Sequence, residues 1–216
     1  MRSEAIFWEL IAVLSESGML PNVMIVGSWA EYLYRFCFGS SYIPNLKTHD
    51  IDLYYGNPCL EFEAEDAIVG KLHNAGFLAY NEGGHLRSFF KEGIEVEFLS
   101  SQLGEGPGLI ELAGTGIYAE KLSSMEMLRP LLLEARGYTM KVPTPASYVC
   151  HKLYINPRRY PVSKRLKDIE AVRSLLLYMG DSPEQKGMLR VCLESLPSEQ
   201  RRQIIGVMRA NGIQLP

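Results

Sequence analysis

The segment "THDIDLYY" sets two acids one residue apart inside a run that is otherwise apolar and aromatic. Side chains along a strand alternate faces with period two. Asp50 and Asp52 therefore share one face, while Ile51 and Leu53 share the other. Two carboxylates side by side repel each other, and burying them unpaired is costly. A chain with this strand must turn one face of a sheet to the core and give the other a reason to hold paired negative charge. A solvated face at a sheet edge is one solution. A divalent cation is another, because magnesium favours oxygen ligands and accepts mixed shells of carboxylate, water and phosphate.

The flanking sequence supplies more of the same chemistry. "NVMIVG" reads as a short, all-apolar strand of the kind buried on both faces. A helix over residues 29–38 follows, opening at Gly27-Ser28. Such a turn offers free backbone N–H groups and a hydroxyl at the positive end of a helix dipole, which suits a phosphate; glycine lets the phosphate approach closely. An ordinary turn with Ser28 as helix cap uses the same residues. "GIEVEFLS" brings a third acid from a neighbouring strand. Glu95 and Glu97 share one face there, with Ile94, Val96 and Phe98 on the other. Glu97 is favoured, because it sits deeper in the strand and its flank "VEFL" matches "DIDL"; Glu95 is the competing choice.

The rest of the chain frames this segment. An amphipathic helix spans 3–17 and Gly18 closes it. A helix is expected over 60–74, stopped by Gly76, then strands at "FLAYN", "LRSFFKE" and "IEVEFLS", the last two joined by a turn at Glu92-Gly93. "GEGPG", residues 104–108, reads as a linker or surface loop. Beyond it the chain reads as mostly helical, with one hairpin around Gly137, a helix from Ala146, and helices over 163–179, 183–195 and 197–210. The fold class is α/β: a small mixed sheet with flanking helices over residues 1–107, then a mainly helical region over 108–216.

Composition limits the alternatives. A chain of 216 residues with 47% hydrophobic and 22% charged residues has the make-up of a soluble globular protein of one large domain or two small ones. A net charge of -3 and a pI near 5.9 argue against coating a long nucleic acid by charge alone. Cys37, Cys59, Cys150 and Cys192 form no C-x-x-C pair, and none has zinc spacing with a histidine. Glu4, Glu9 and Glu16 interrupt the N-terminal apolar pattern, so it lacks the centre of a signal peptide. No run of 18 apolar residues exists to cross a membrane. The expected location is the cytoplasm.

"VGSWAEYLY…THDIDLYY…IEVEFLS" resembles the active-site pattern of the nucleotidyltransferase superfamily that includes DNA polymerase β. That pattern is Gly-Gly or Gly-Ser, a spacer, Asp-x-Asp in a strand, and an acid in a later strand. The spacer of about 21 residues between Ser28 and Asp50 exceeds the superfamily's commonest form. It suits a bacterial branch of uncharacterised nucleotidyltransferases and abortive-infection-type toxins, in which a basic residue often stands where His49 stands here. The resemblance implies a nucleotidyltransferase fold, an NTP substrate, two magnesium ions and transfer of a nucleoside monophosphate. Asp50, Asp52 and Glu97 would bind metal and carry catalysis, and Gly27 and Ser28 would hold the triphosphate. "HKLYINPRRYPVSKRLKDIEAVRSLL" resembles the helical segment of the same branch through Lys152, Arg158, Arg159, Lys167 and Asp168. Lys152 and the arginines would neutralise the triphosphate. Asp168 would contact the lysine, the ribose or the acceptor. The helical region would complete a nucleotide cleft. A transfer RNA end, a protein hydroxyl and a small molecule such as an aminoglycoside are the open acceptors, and the toxin-like branch leaves room for a protein partner. The alternative is a non-catalytic nucleotide- or partner-binding module on the same fold.

Overall fold

A computed structural model describes residues 2–39, 42–44, 48–59, 67–101, 108–180 and 182–214. Helix α1 (Arg2–Glu16) buries Ile6, Phe7, Leu10, Ile11 and Leu14 at helical spacing. Gly18, at a φ of +75°, turns the chain out of it. Strand β1 (Val23–Ile25) is buried along its whole length. The helix expected over 29–38 forms as α2 (Gly27–Leu33) and α3 (Arg35–Phe38). They part at Tyr34, whose N–H is shared between the carbonyls of Ala30 and Glu31 while its hydroxyl donates to the Pro143 carbonyl.

Strand β2 (Asp50–Tyr55) follows, then α4 (Ala67–Asn74), β3 (Leu78–Glu82), β4 (His85–Lys91) and β5 (Ile94–Ser100). The first half of the helix expected over 60–74, and all of the 104–108 loop but Gly108, lie outside the described residues. Glu92 and Gly93 both take positive φ, 49° and 83°, in the tight turn between β4 and β5. Two short strands follow that carry no sequence pattern: β6 (Leu109–Glu111) and β7 (Tyr118–Lys121). A 3-10 segment (Ser123–Met127) leads to the hairpin of β8 (Pro130–Ala135) and β9 (Tyr138–Pro143), turning at Arg136-Gly137.

Nine described strands form one mixed sheet, in the order β3-β4-β5-β2-β1-β9-β8, with β7 joining the end of β5 and β6 pairing β7. The neighbours β2 and β5 run parallel; β1 lies antiparallel to β2 and parallel to β9. The β8–β9 hairpin therefore extends the sheet that carries the acids. The odd-numbered residues of β2, Ile51, Leu53 and Tyr55, join Val96 and Phe98 in the main core with α1 and α2. Phe7 stacks on Trp29 there with ring centroids 4.3 Å apart.

Helix α5 (Pro145–Ile155) is capped by Thr144, whose Oγ1 accepts from the Ser147 N–H at 3.3 Å, with Pro145 in the first turn. Helices α6 (Val162–Gly180), α7 (Pro183–Ser195) and α8 (Ser198–Ala210) pack around it. Residues 146–153 of α5 are all buried as a result. Among the described residues, no helix is long and apolar enough to cross a membrane.

Candidate active site

The register of β2 against β5 places Asp50 beside Glu95 and Asp52 beside Glu97. All four acids are half-buried, while Ile51, Val96 and Phe98 between them are buried. The alternation read from the sequence thus puts four carboxyls on one sheet face. Asp52 and Glu97 share a side-chain hydrogen bond. Burial raises the Asp52 pKa, Lys152 opposes that, and Asp50 adds to it. Burial, then the charge of Asp52 and then Glu95, push the Glu97 carboxyl up to about 7. A carboxyl pair that resists ionisation in this way is short of positive charge, and its oxygen donors fit a hard divalent cation. Among the described residues, no three acids, imidazoles or thiols converge closely enough to ligate an ion as they stand. The buried Ser88 hydroxyl, on β4 in register with Glu97, has no hydrogen-bond partner among them either.

Gly27 closes the other side of Asp52. Its φ is +64°, and a Cβ built there would lie 2.0 Å from Asp52 Oδ2. Any larger residue would both strain the backbone and displace the carboxylate. Ser28 is buried just behind, on the first turn of α2.

The helical part supplies the positive charge. Lys152, on α5, is 7% exposed and donates from Nζ to Asp168 Oδ1 at 2.7 Å; Arg159 Nε reaches Asp168 Oδ2 at 3.2 Å. Asp168, on α6, is 1% exposed and holds both bases. The Arg158 guanidinium lies 4.9 Å from the Tyr154 ring centroid.

A cavity of about 410 Å³ is shared by Asp52 and these bases. Gly27, Asp52, Lys152, Arg158 and Arg159 line it. Ser28, Asp50, Glu97 and Asp168 are not among the residues that line it. His49 instead faces a separate crevice with Arg2 and Glu92. Among the lining residues that escaped the sequence reading of the site are Lys121, Ser123, Ser124 and His151. His151 is 6% exposed, and its Nε2 lies 3.3 Å from Ser124 Oγ. Burial, then the charges of Lys152 and Arg159, push its pKa down to about 3, so the imidazole is neutral. The only signal was its place beside Lys152.

Comparison with known proteins bears on this arrangement. A family profile described as nucleotidyltransferase matches residues 7–186. No curated protein matches. Among solved structures, ANT(2")-Ia in complex with adenylyl-2"-tobramycin is 13% identical, covers 89% of this chain and 97% of its own, and superimposes with a TM-score of 0.53. The solution structure of the antibiotic-resistance factor ANT(2'')-Ia is also 13% identical, with a TM-score of 0.50 over 96% of this chain and 91% of its own. These likenesses show a shared fold.

Proposed function

The chain belongs to the nucleotidyltransferase family, and from that premise we propose that it moves a nucleoside monophosphate from an NTP to an acceptor hydroxyl. The reaction would take place in the cavity between the acid face of the sheet and α5, with residues 1–107 and 108–216 as its two walls. The observation that carries the reading is Asp52 in register with Glu97, in a position that only a glycine at 27 leaves open, opposite a buried lysine.

Asp50, Asp52 and Glu97 would hold two magnesium ions. Bound there, magnesium would neutralise the phosphoryl oxygens and lower the pKa of a bound hydroxyl. The protein's own groups do the rest. Glu97 would accept the proton of the attacking hydroxyl on a carboxylate oxygen. Gly27 leaves the backbone open to the triphosphate, and Ser28 offers its N–H at the opening of α2. Lys152 and Arg158 face the β and γ phosphates and hold the charge of the leaving pyrophosphate. Asp168 fixes the lysine in that position. A transfer RNA end, a protein hydroxyl or a small molecule would be the acceptor. The setting would be the cytoplasm, with the toxin-like resemblance pointing to a protein partner.

The test is a thermal-shift and pyrophosphate-release screen of the four NTPs with and without magnesium. Bulk tRNA, an aminoglycoside and a hydroxyl-bearing protein serve as acceptors, and Asp52→Asn is the control. A magnesium-dependent nucleotide shift is expected, lost in Asp52→Asn together with about 10²–10³-fold of the pyrophosphate release. Absence of any nucleotide shift in the wild type would sink the reading. Binding with no pyrophosphate release on any acceptor would favour the non-catalytic module.

A further inference from the structure

The sheet face that carries Asp52 and Glu97 does not end at the acids. Tyr54 and Leu99 come next on that face, with Met24 on β1 and Val26 just past the end of β1 packed beside them. Met125 and Leu128 close over these four, forming an apolar cluster separate from the main core. Two residues along a strand span about 6.6 Å, so the cavity passes from carboxylates to an apolar wall within roughly that distance. Val26, Leu99, Leu122, Met125, Leu128 and Ile155 make that wall.

A buried imidazole interrupts it. His151 lines the cavity from α5, with Ser124 within hydrogen-bond distance. The pair brings no charge for phosphate and no carboxylate for a cation, so the transfer chemistry leaves it unused. A neutral imidazole offers one donor and one acceptor in the plane of its ring. Pockets that combine an apolar lining with a few placed polar groups use the first for affinity and the second for orientation. The matching ligand is flat and apolar on its faces, with hydrogen-bonding groups on its edge. It must also be joined to something anionic, since Lys152, Arg158 and Arg159 lie in the same cavity. A nucleobase at the end of a triphosphate has these properties.

Resting on the NTP reading above, we propose that the apolar wall is the base site and that His151, held by Ser124, reads the base edge and sets which NTP is used. Both are specificity-determining residues; neither takes part in phosphoryl transfer. His151 contributes through the hydrogen bond that its remaining ring nitrogen, Nδ1, makes in the plane of the base, and Ser124 through the ring orientation it maintains at Nε2.

Equilibrium titrations with magnesium and ATP, GTP, CTP, UTP or inorganic tripolyphosphate test this. Tripolyphosphate carries the charge without the base. The proteins are the wild type, His151→Phe, which keeps a ring and removes its polar atoms, and Ser124→Ala, which is half-buried and keeps the test open if the first variant does not fold. The wild type is expected to bind its preferred NTP about tenfold tighter than the weakest, the value of one good hydrogen bond, with the spread falling below about threefold in the variants. Tripolyphosphate binding is expected to stay within about twofold, which a folding defect would not allow. An equal wild-type affinity for all four NTPs overturns the proposal. So does a spread that survives in the variants, or a loss of tripolyphosphate binding in step with the NTPs. Wild-type protein that binds tripolyphosphate but no NTP more tightly overturns the base site alone; wild-type protein that binds neither overturns the nucleotide reading with it.

Discussion

Gly27 and Asp52 form one structural unit, although they lie 25 positions apart in the sequence. The glycine is required by its φ of +64° and by the 2.0 Å approach of Asp52 Oδ2 to the place of a Cβ. These two demands are separable. In Gly27→Ala the left-handed backbone alone costs about 1–2 kcal/mol, and the collision with Asp52 adds to it. Asp52→Ala removes the collision and leaves the backbone cost. The double variant is therefore expected to be more stable than the sum of the single effects predicts, by about 1 kcal/mol or more. Urea denaturation of the four proteins in the cycle reads this directly. Strict additivity would mean that Asp52 moves aside freely, and that the glycine is there for the backbone alone.

The elements differ in how far their sequences disclose them, and the difference is physical. Strands β2 and β5 were legible because six and seven residues are enough for a period of two to emerge, and because acids alternating with Ile, Val and Phe leave one assignment of faces. Strands β6 and β7, with three and four residues, are too short for any period, and they exist through pairing with each other and with the end of β5. The segment Lys152 to Asp168 was legible as chemistry but not as geometry. Its meaning depends on the packing of α5 against α6, which brings Asp168 under Lys152 and Arg159. His151 was illegible for the same reason, since the wall it interrupts is assembled from Val26 past the end of β1, Leu99 on β5, Ile155 on α5 and the 3-10 segment with its flanks. The α5–α6 pairing has a measurable consequence. Asp168→Asn leaves Lys152 buried without its counter-charge, which is expected to cost about 3–5 kcal/mol. Replacing the pair together, as Lys152→Met with Asp168→Leu, is expected to recover most of that stability while abolishing triphosphate binding. Chemical denaturation, paired with a nucleotide titration, separates the two effects; a Asp168→Asn protein as stable as the wild type would show that water already reaches the pair.

Across the whole molecule, charge is divided about the cavity: Asp52 on the sheet lies across from Lys152, Arg158 and Arg159 of the helical part, with Lys121 on β7 a further base at its edge. The bases are partly satisfied by Asp168, so the sheet acids remain under-compensated, and this should appear in global stability. The folded-state pKa of Glu97 is raised from 4.5 to about 7. Its contribution is therefore fully present below pH 4.5 and is lost as pH rises through 7. His151 acts in the opposite sense. Its pKa is lowered from 6.5 to about 3, so its contribution is present above pH 6.5 and is lost as pH falls towards 3. Between pH 4.5 and 6.5 the two slopes oppose each other, and a wild-type profile alone would hide both. The difference between wild type and Glu97→Gln isolates the carboxyl. In chelator, the wild type is expected to lose about 2 kcal/mol relative to Glu97→Gln between pH 4.5 and 7.5. Saturating magnesium is expected to flatten that difference, because a bound cation favours the ionised pair in the folded state. Denaturation midpoints at five or six pH values in the two buffers decide it. Parallel curves in chelator would mean that Asp52 and Glu97 already find enough positive charge within the protein, and would remove the electrostatic ground for placing a cation between them.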